Sequence, residues 1–340
     1  MGGKALNGYG VFTERKNTEE FNQIGYELKV RLFFDLSLFS TVVKCYRTKP
    51  DHGDLDLLIC IDQEFLDRKI NLRKYIQDTF KPQAIHSNSG VISFNYKNFQ
   101  IDFIQIKKEK WEIANVWYQF DPQANICGKT FHKFGLSYGW DGLFYKFRNF
   151  HGTLSKDILL TTNPRKIYEF GGYDYDRFLN GFDTLEDIFK FVIAGKYFET
   201  EMFQMENLKF IDRKRNKKRG SYHLFLNYLK ENNINTKYNF KNKDEYLLMI
   251  NDYFPEANLL EKLNVLKVED TINKEVSEKF NGDIVMTWLP DLNGKELGNA
   301  MRKFRESYGE GYKNFILKST ILTIQSCFME MLNNDHSKLF

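Results

Sequence analysis

The chain has 340 residues, 42% of them hydrophobic and 28% charged, with a formal net charge of +4. An aromatic share of 16% and only six prolines exclude a disordered or Pro-rich chain, and the length accommodates two domains. No apolar run approaches the ~20 residues of a membrane helix, so no membrane partner is expected. Residues 1–5 lack the apolar core of a secretory leader, and Leu6 stands where a myristoylation pattern needs Ser or Thr. Four cysteines, at 45, 60, 127 and 327, have no Cys-x-x-Cys spacing. That argues against a zinc ribbon and for reduced thiols in an intracellular, cytoplasmic setting. The Asn- and Lys-rich composition is of the kind an AT-rich genome produces, a viral one included.

In chain order, residues 18–35 read as a helix. Thr18 is the expected N-cap, Glu19 and Glu20 suit the helix dipole, and Phe21, Ile24, Leu28 and Leu32 recur at helical spacing. Residues 39–46 read as extended, and a polar turn with Lys49, Pro50 and Gly53 follows. Residues 54–61 form a strand whose later part is apolar on both faces. A helix is expected over 66–80, then strands over 91–96 and 99–106 joined by Lys97-Asn98 as a hairpin. From about 110 the pattern turns helical and aromatic, with a helix over 185–198 capped by Asp183 or Thr184. Beyond 205 the chain is basic and mostly helical, and an amphipathic core-packing helix closes it over 315–332. The division expected is 1–110, 111–204 and 205–340.

Arg213, Lys214, Arg215, Lys217, Lys218 and Arg219 place six cations in seven residues. Such a run is either a solvated face or a nucleic-acid footprint. Asp212 is the one adjacent carboxylate, so the run is read as gripping a phosphate backbone far from the acidic site described next. The spacing of Tyr222, Phe225 and Tyr228 reads as core packing, and His132 and His223 as ordinary packing or surface.

The sharpest signal is Gly53-Asp54-Leu55-Asp56-Leu57-Leu58. On a strand Asp54 and Asp56 share one face while Leu55 and Leu57 enter a core. Adjacent carboxylates repel, and divalent cations are their natural compensation. Asp102 lies in a second strand pattern. If the two strands pair, three Asp converge on a site for two Mg²⁺ ions, with Mn²⁺ as a substitute. One ion then activates a 3′-hydroxyl and the other holds a triphosphate. The turn with Arg47 and Lys49 supplies phosphate donors just before the ligands.

On these residues the chain resembles the DNA polymerase β (family X) branch of the nucleotidyltransferase superfamily. That branch carries Gly-Ser-Phe-Arg, a polar turn, then Gly-Asp-x-Asp; here the stretch is Lys44-Cys45-Tyr46-Arg47, then Gly53-Asp54-Leu55-Asp56. The resemblance implies an α/β (α+β) fold: a nucleotidyltransferase palm with a mixed sheet and flanking helices, plus a mainly helical C-terminal domain. It implies that Asp54 and Asp56 bind both metals and that Asp102 binds the catalytic metal and orients the primer hydroxyl. It further implies that Lys44, Cys45, Arg47, Gly53 and Arg15 surround the nucleotide phosphates. Val116 to Pro122 matches the turn under the incoming sugar, which places Tyr118 and Gln119 beside the sugar and Asn125 near the base, with a cis bond expected at Asp121-Pro122.

The implied activity is transfer of a nucleotide from a (d)NTP to a nucleic-acid 3′-OH with release of pyrophosphate. Departures are Lys44-Cys45 for Gly-Ser and Gln100 for an Arg before the third Asp; a thiol is a weaker phosphate donor than a hydroxyl. Residues 289–301, with Gly294, Gly298 and Asn293 as a helix cap, resemble a helix entry in tRNA CCA-adding enzymes. A tRNA 3′-end nucleotidyltransferase and a catalytically inactive nucleic-acid- or protein-binding module therefore stay open as alternatives. Oligomeric state is not legible.

Overall fold

The computed structural model describes residues 3–292 and 294–336, so the expected cap at Asn293 lies outside the described residues. The chain forms two compact units, Met1–Lys146 with Ile158–Ala257, and Phe147–Asp157 with Asn258–Phe340. The boundary expected at 204/205 is therefore corrected: residues 205–257 stay with the first unit, because their aromatic side chains enter its core. Tyr222 and Phe225 are fully buried, and Phe225 packs on Phe189, Phe198 and Phe203.

The first unit opens with helix α1 (Thr18–Leu36). Its N-cap is Asn17 rather than Thr18, because Asn17 and Glu20 have the reciprocal spacing of a capping box. Thr18 Oγ1 instead donates to Lys49 O at 2.7 Å. Then come β1 (Ser40–Val42), β2 (Asp54–Ile61), α2 (Leu72–Phe80), β3 (Ile85–Asn88), β4 (Val91–Tyr96) and β5 (Phe99–Lys107). The sheet order is β1-β2-β5-β4-β3, with β2 and β5 parallel and the other pairs antiparallel. This is the mixed sheet expected.

Alternation on the strands builds both faces. Leu55, Leu57 and Ile59 of β2 and Ile101 and Phe103 of β5 pack beneath α1 and α2 against Leu28, Leu32, Ile76 and Phe80. Fully burying each such side chain stabilises the fold by roughly 1.5–3 kcal/mol. The opposite face carries a smaller cluster of Leu58, Ile104 and Ile106 with Val43 and Ala114. Lys97 and Asn98 both take positive φ between Tyr96 and Phe99, the conformation that a two-residue hairpin requires.

Near the site, two expected elements differ. The helix expected over 66–80 is split into Gln63–Asp67 and α2, because Lys69 is left-handed and Asn71 caps α2 afresh by accepting from Lys74 N–H. The strand expected over 39–46 stops at Val42. Beyond Val43 the chain leaves the sheet: Lys44 N–H donates to Gln119 Oε1 and Arg47 N–H to Phe182 O. The strand β3 carries no periodic signal and was not anticipated.

After β5 come α3 (Trp111–Tyr118), α4 (Gln123–Lys133) and a three-stranded sheet of Leu136–Gly139, Gly142–Arg148 and Leu154–Thr161. Helix α5 (Leu185–Ile193) starts at Thr184, whose side chain accepts from Asp187 N–H, and ends short of the expected residue 198. The basic run lies on α6 (Phe210–Asn216) and the turn into α7 (Gly220–Glu231).

The second unit is helical, with Phe280, Phe304 and Phe328 at its centre. The single helix expected over 315–332 is two, Tyr312–Lys318 and Ile321–His336. Lys279 Nζ donates to the carbonyls of Ile316, Leu317 and Ser319, satisfying the end of the first, and Thr320 Oγ1 accepts from Thr323 N–H at the start of the second. A Cβ on Gly294 or Gly298 would meet nothing within 4 Å, so no close helix packing is formed at either glycine.

Candidate active site

The parallel pairing of β2 and β5 sets Asp56 opposite Asp102, and Asp54 opposite Gln100. Neighbouring strands lie ~4.8 Å apart, so three carboxylates share one patch of the sheet, on the face of Leu58 and Ile104 and beyond the end of that small cluster. Burial raises Asp56 well above the usual carboxylate range, and repulsion from Asp54 and Asp102 adds to it. Burial also pushes Asp102 up to about 6, against hydrogen bonds from Ser93 across the sheet and from Gln100.

The segment ahead of α1, which includes a 3-10 turn at Asn7–Tyr9, reaches this patch. Gly3 N–H donates to Asp54 Oδ2 at 3.1 Å. Ala5 N–H donates to Gln100 Oε1 at 2.9 Å, and Gln100 Nε2 donates to both oxygens of Asp102 at 3.1 Å. Leu6 is buried and anchors the strap, and Thr13 Oγ1 donates to Gly3 O at 3.3 Å. Gly3 has φ +79°, and a Cβ there would lie 2.2 Å from Gly53 O. Gly3→Val is therefore expected to lift the strap and destabilise the protein by ~1–3 kcal/mol. Urea unfolding measures the loss, and faster amide exchange at Ala5 locates it. Unchanged exchange at Ala5 would show that the strap does not depend on Gly3.

The phosphate-side turn is fixed from three directions. Arg15 Nη2 donates to Asp51 Oδ1 at 2.6 Å, and Lys16 and Asn17 pair with His52 and Asp51. His52 is buried and stacks on Phe21, with ring centroids 3.9 Å apart; burial and Lys49 push it down to about 4, so it is neutral at pH 7. Gln119 accepts from Lys44 N–H and donates to Asn115 Oδ1, and Phe120 N–H donates to Lys44 O. The Asp121-Pro122 bond is cis, as expected.

A cavity of about 460 Å³ opens beside the carboxylates. Of the residues expected at the site, Arg15, Lys44, Cys45, Gly53, Asp54, Asp56, Tyr118 and Asn125 line it. Asp102 lies next to Asp56 in register but outside the lining. Arg47 is a correction: its guanidinium donates to Asp183 Oδ1 at 2.6 Å and to Asn180 O, and it lines an adjoining cavity of about 480 Å³ instead. Cys45 lines both; burial raises its thiol, and Lys49 Nζ donates to its sulfur at 3.5 Å. Asn125 Oδ1 and Trp117 Nε1, both on lining residues, are buried without a partner among the described residues. Burial pushes the Tyr118 hydroxyl up to about 12, so it remains a neutral donor.

The second correction concerns the basic run. Arg215, Lys218 and Arg219 line the same cavity as Asp54 and Asp56, not a distant surface. The cause is a long-range ion pair. Asp212 accepts from buried Lys129 Nζ of α4 at 2.6 Å and faces His132 Nδ1 at 3.5 Å. His132 thus has a specific partner, beyond ordinary packing. Burial opposes ionisation of Asp212, but hydrogen bonds from His132 and Lys129 win and hold it well below the usual carboxylate range. With Asp212 and Asn216 turned inward, Arg215 and Lys218 face the cavity. Arg213 is consumed locally, donating to Glu206 O and Leu208 O, and Arg219 approaches Asp121 at 3.6 Å. Six cations (Arg15, Lys44, Lys49, Arg215, Lys218 and Arg219) thus share the lining with Asp54, Asp56 and Asp121.

The sequence pattern carries no mark of the strap at Gly3 and Ala5 or of Ser93. The donor chemistry at Asp54, Asp56 and Asp102 fits a hard divalent cation. Among the described residues, however, no three His, Cys, Asp or Glu side chains are placed as a group to hold a metal ion: the amides of Gly3 and Gln100 hold oxygens of Asp54 and Asp102. Among the described residues no helix is long and apolar enough to cross a membrane.

No family model matches the chain, and no curated protein matches its sequence. Among solved structures it is similar to polymerase beta of Leishmania infantum. Against the ternary P/T complex the identity is 13% and the TM-score 0.34, over 41% of this chain and 60% of that one. Against the ternary gap complex the identity is 13% and the TM-score 0.33, over 39% and 52%. The chain thus spans just over half of the polymerase chains to which it is similar, and the likeness is distant.

Proposed function

We propose that the chain is a metal-dependent nucleotidyltransferase that adds a nucleotide from a (d)NTP to the 3′-hydroxyl of a nucleic acid, polymerase β-like in its chemistry. The observation that carries this reading is the parallel register of Asp56 with Asp102, with Asp54 two residues away, beside a cavity whose lining holds six cations. A cavity of about 460 Å³ falls in the range of small-ligand sites, and an excess of cations beside carboxylates suits a triphosphate carried with divalent ions.

In this reading Asp54 and Asp56 would hold two Mg²⁺ ions, with Asp102 as a further ligand to one of them. When bound, the ions neutralise phosphoryl charge and make the acceptor hydroxyl more acidic. Asp102 turns from Gln100 to take the hydroxyl's proton or to orient it. The acceptor oxygen bonds to the α-phosphorus, and the bond from that phosphorus to the β-phosphate bridging oxygen breaks. Arg15, Lys44 and Lys49 stabilise the charge that builds on the departing pyrophosphate. Trp117 and Tyr118 flank the sugar, Gln119 being held outside the cavity lining by Lys44 N–H and Asn115 rather than beside the sugar as expected, and Asn125 offers its free amide oxygen to the base.

The engagement of Asp102 by Gln100 favours one second reading, a module that binds nucleotide without turning it over. Single-turnover incorporation of labelled nucleotide with Mg²⁺ or Mn²⁺, against an EDTA control, separates the two. Primed DNA with dNTPs and truncated tRNA with CTP and ATP serve as parallel acceptors. Metal-dependent extension of either supports transfer. Nucleotide binding without extension on both acceptors would sink it.

A further inference from the structure

Helix α6 carries charge and apolar surface in two adjacent stripes. At ~100° per residue, Ile211 and Arg215 fall on one side and Phe210 and Lys214 on the side next to it, and Lys217 and Lys218 follow in the turn that ends the helix. Each stripe is one large apolar side chain followed by one cation, and the turn adds two more. Phe210 is 76% exposed and Ile211 78%. Neither can turn inward, because Asp212, Arg213 and Asn216 already hold the opposite face of the helix to the body of the unit. The single carboxylate of α6, Asp212, is committed to Lys129, and among the described residues Lys214, Arg215, Lys217 and Lys218 make no ion pair. One stripe runs into the cavity, where Arg215 and Lys218 stand in the lining with Asp54 and Asp56.

We propose that this striped helix is a track for single-stranded nucleic acid, leading its end into the carboxylate cavity. An exposed aromatic beside unpaired cations is the pairing that single strands use: bases stack on the ring while phosphates follow the charge. A duplex keeps its bases stacked on each other and offers Phe210 and Ile211 nothing to contact. Lys214 and Lys217 meet the outer phosphates, and Arg215 and Lys218 those nearest the cavity. The direction of the track rests on the nucleotidyltransferase reading; the binding surface itself does not.

The test is fluorescence anisotropy with the full chain in EDTA, without nucleotide, so turnover plays no part. The probes are labelled single strands of about 12 nucleotides, within the span such sites cover, in DNA and RNA forms, and a blunt duplex of the same sequence. Phe210→Ala with Ile211→Ala is expected to weaken single-strand binding about tenfold, and to leave duplex binding where it was. Lys214→Gln with Lys217→Gln is expected to lower the log–log salt slope for single strands by about 1.4, from ~0.7 per phosphate released. Equal losses on single strand and duplex, or no loss, overturn the proposal. So does absence of binding to every probe, which would give the surface to an acidic protein partner. A chain that binds single strands yet extends nothing supports the track and overturns the proposed function alone. A chain that extends primers while these variants bind normally overturns only the track.

Discussion

Asp102→Asn is expected to lower single-turnover incorporation by at least 10²–10³-fold, the scale of losing one electrostatic contributor to a transition state. Nucleotide affinity should change little, because Asp102 lies outside the cavity lining that contains Asp54 and Asp56. Asp54→Asn and Asp56→Asn should weaken nucleotide binding and incorporation together. Stability supplies an independent readout. Burial raises Asp102 to about 6, so the fold favours its protonated form. Its contribution to stability is present below the ordinary carboxylate pKa of ~3.9 and is lost as pH rises through about 6. Asn imitates the protonated acid. The metal-free Asp102→Asn protein should therefore melt higher than the parent at pH 8, and alongside it at pH 4. Full incorporation by the variant would remove Asp102 from the chemistry whatever the melting curves show.

Lys129→Met is expected to destabilise the first unit by up to about 3–5 kcal/mol, the cost of breaking a buried pair, because it removes the cation bonded to Asp212 and leaves that carboxylate only the His132 imidazole at 3.5 Å. Burial pushes the Lys129 ammonium down, but its bond to Asp212 opposes that shift. Asp212 itself is held well below the usual range. Its contribution is thus present above the ordinary carboxylate pKa and lost as pH falls towards its folded value. Adding Asp212→Leu to Lys129→Met should recover most of the stability, since two apolar groups replace the pair. Urea unfolding of the two single variants and the double closes the cycle. A single-variant loss under about 1 kcal/mol, the scale of an exposed pair, would show that the pair does not hold α6 down.

The carboxylate strands were legible because period-two alternation sends Leu55 and Leu57 to one face and leaves Asp54 and Asp56 on the other. Their partner was legible for the same reason: Asp102 interrupts Ile101, Phe103 and Ile104 at the matching phase. The capping box at Asn17-x-x-Glu20 was readable too, although Thr18 drew attention as a capping residue in its own right. The strap could not be read. Gly3 and Ala5 act through main-chain N–H groups that every sequence possesses, and no periodicity marks them. The orientation of the basic helix depends on Lys129 and Asp212, which are 83 positions apart, and local charge counting assigned Asp212 to its immediate neighbours instead. Arg47 likewise meets Asp183 and Asn180 only once the chain has folded.

The strap also bears on how the protein should be handled. Gly3 lies 3.1 Å from a carboxylate oxygen of Asp54. Any polypeptide joined ahead of Gly3 is therefore tethered to the acidic patch at high effective concentration. A polyhistidine tag fused there would present imidazoles to the same cations that Asp54 and Asp56 are proposed to hold. Metal titrations and activity assays on such a fusion would report competition between tag and site.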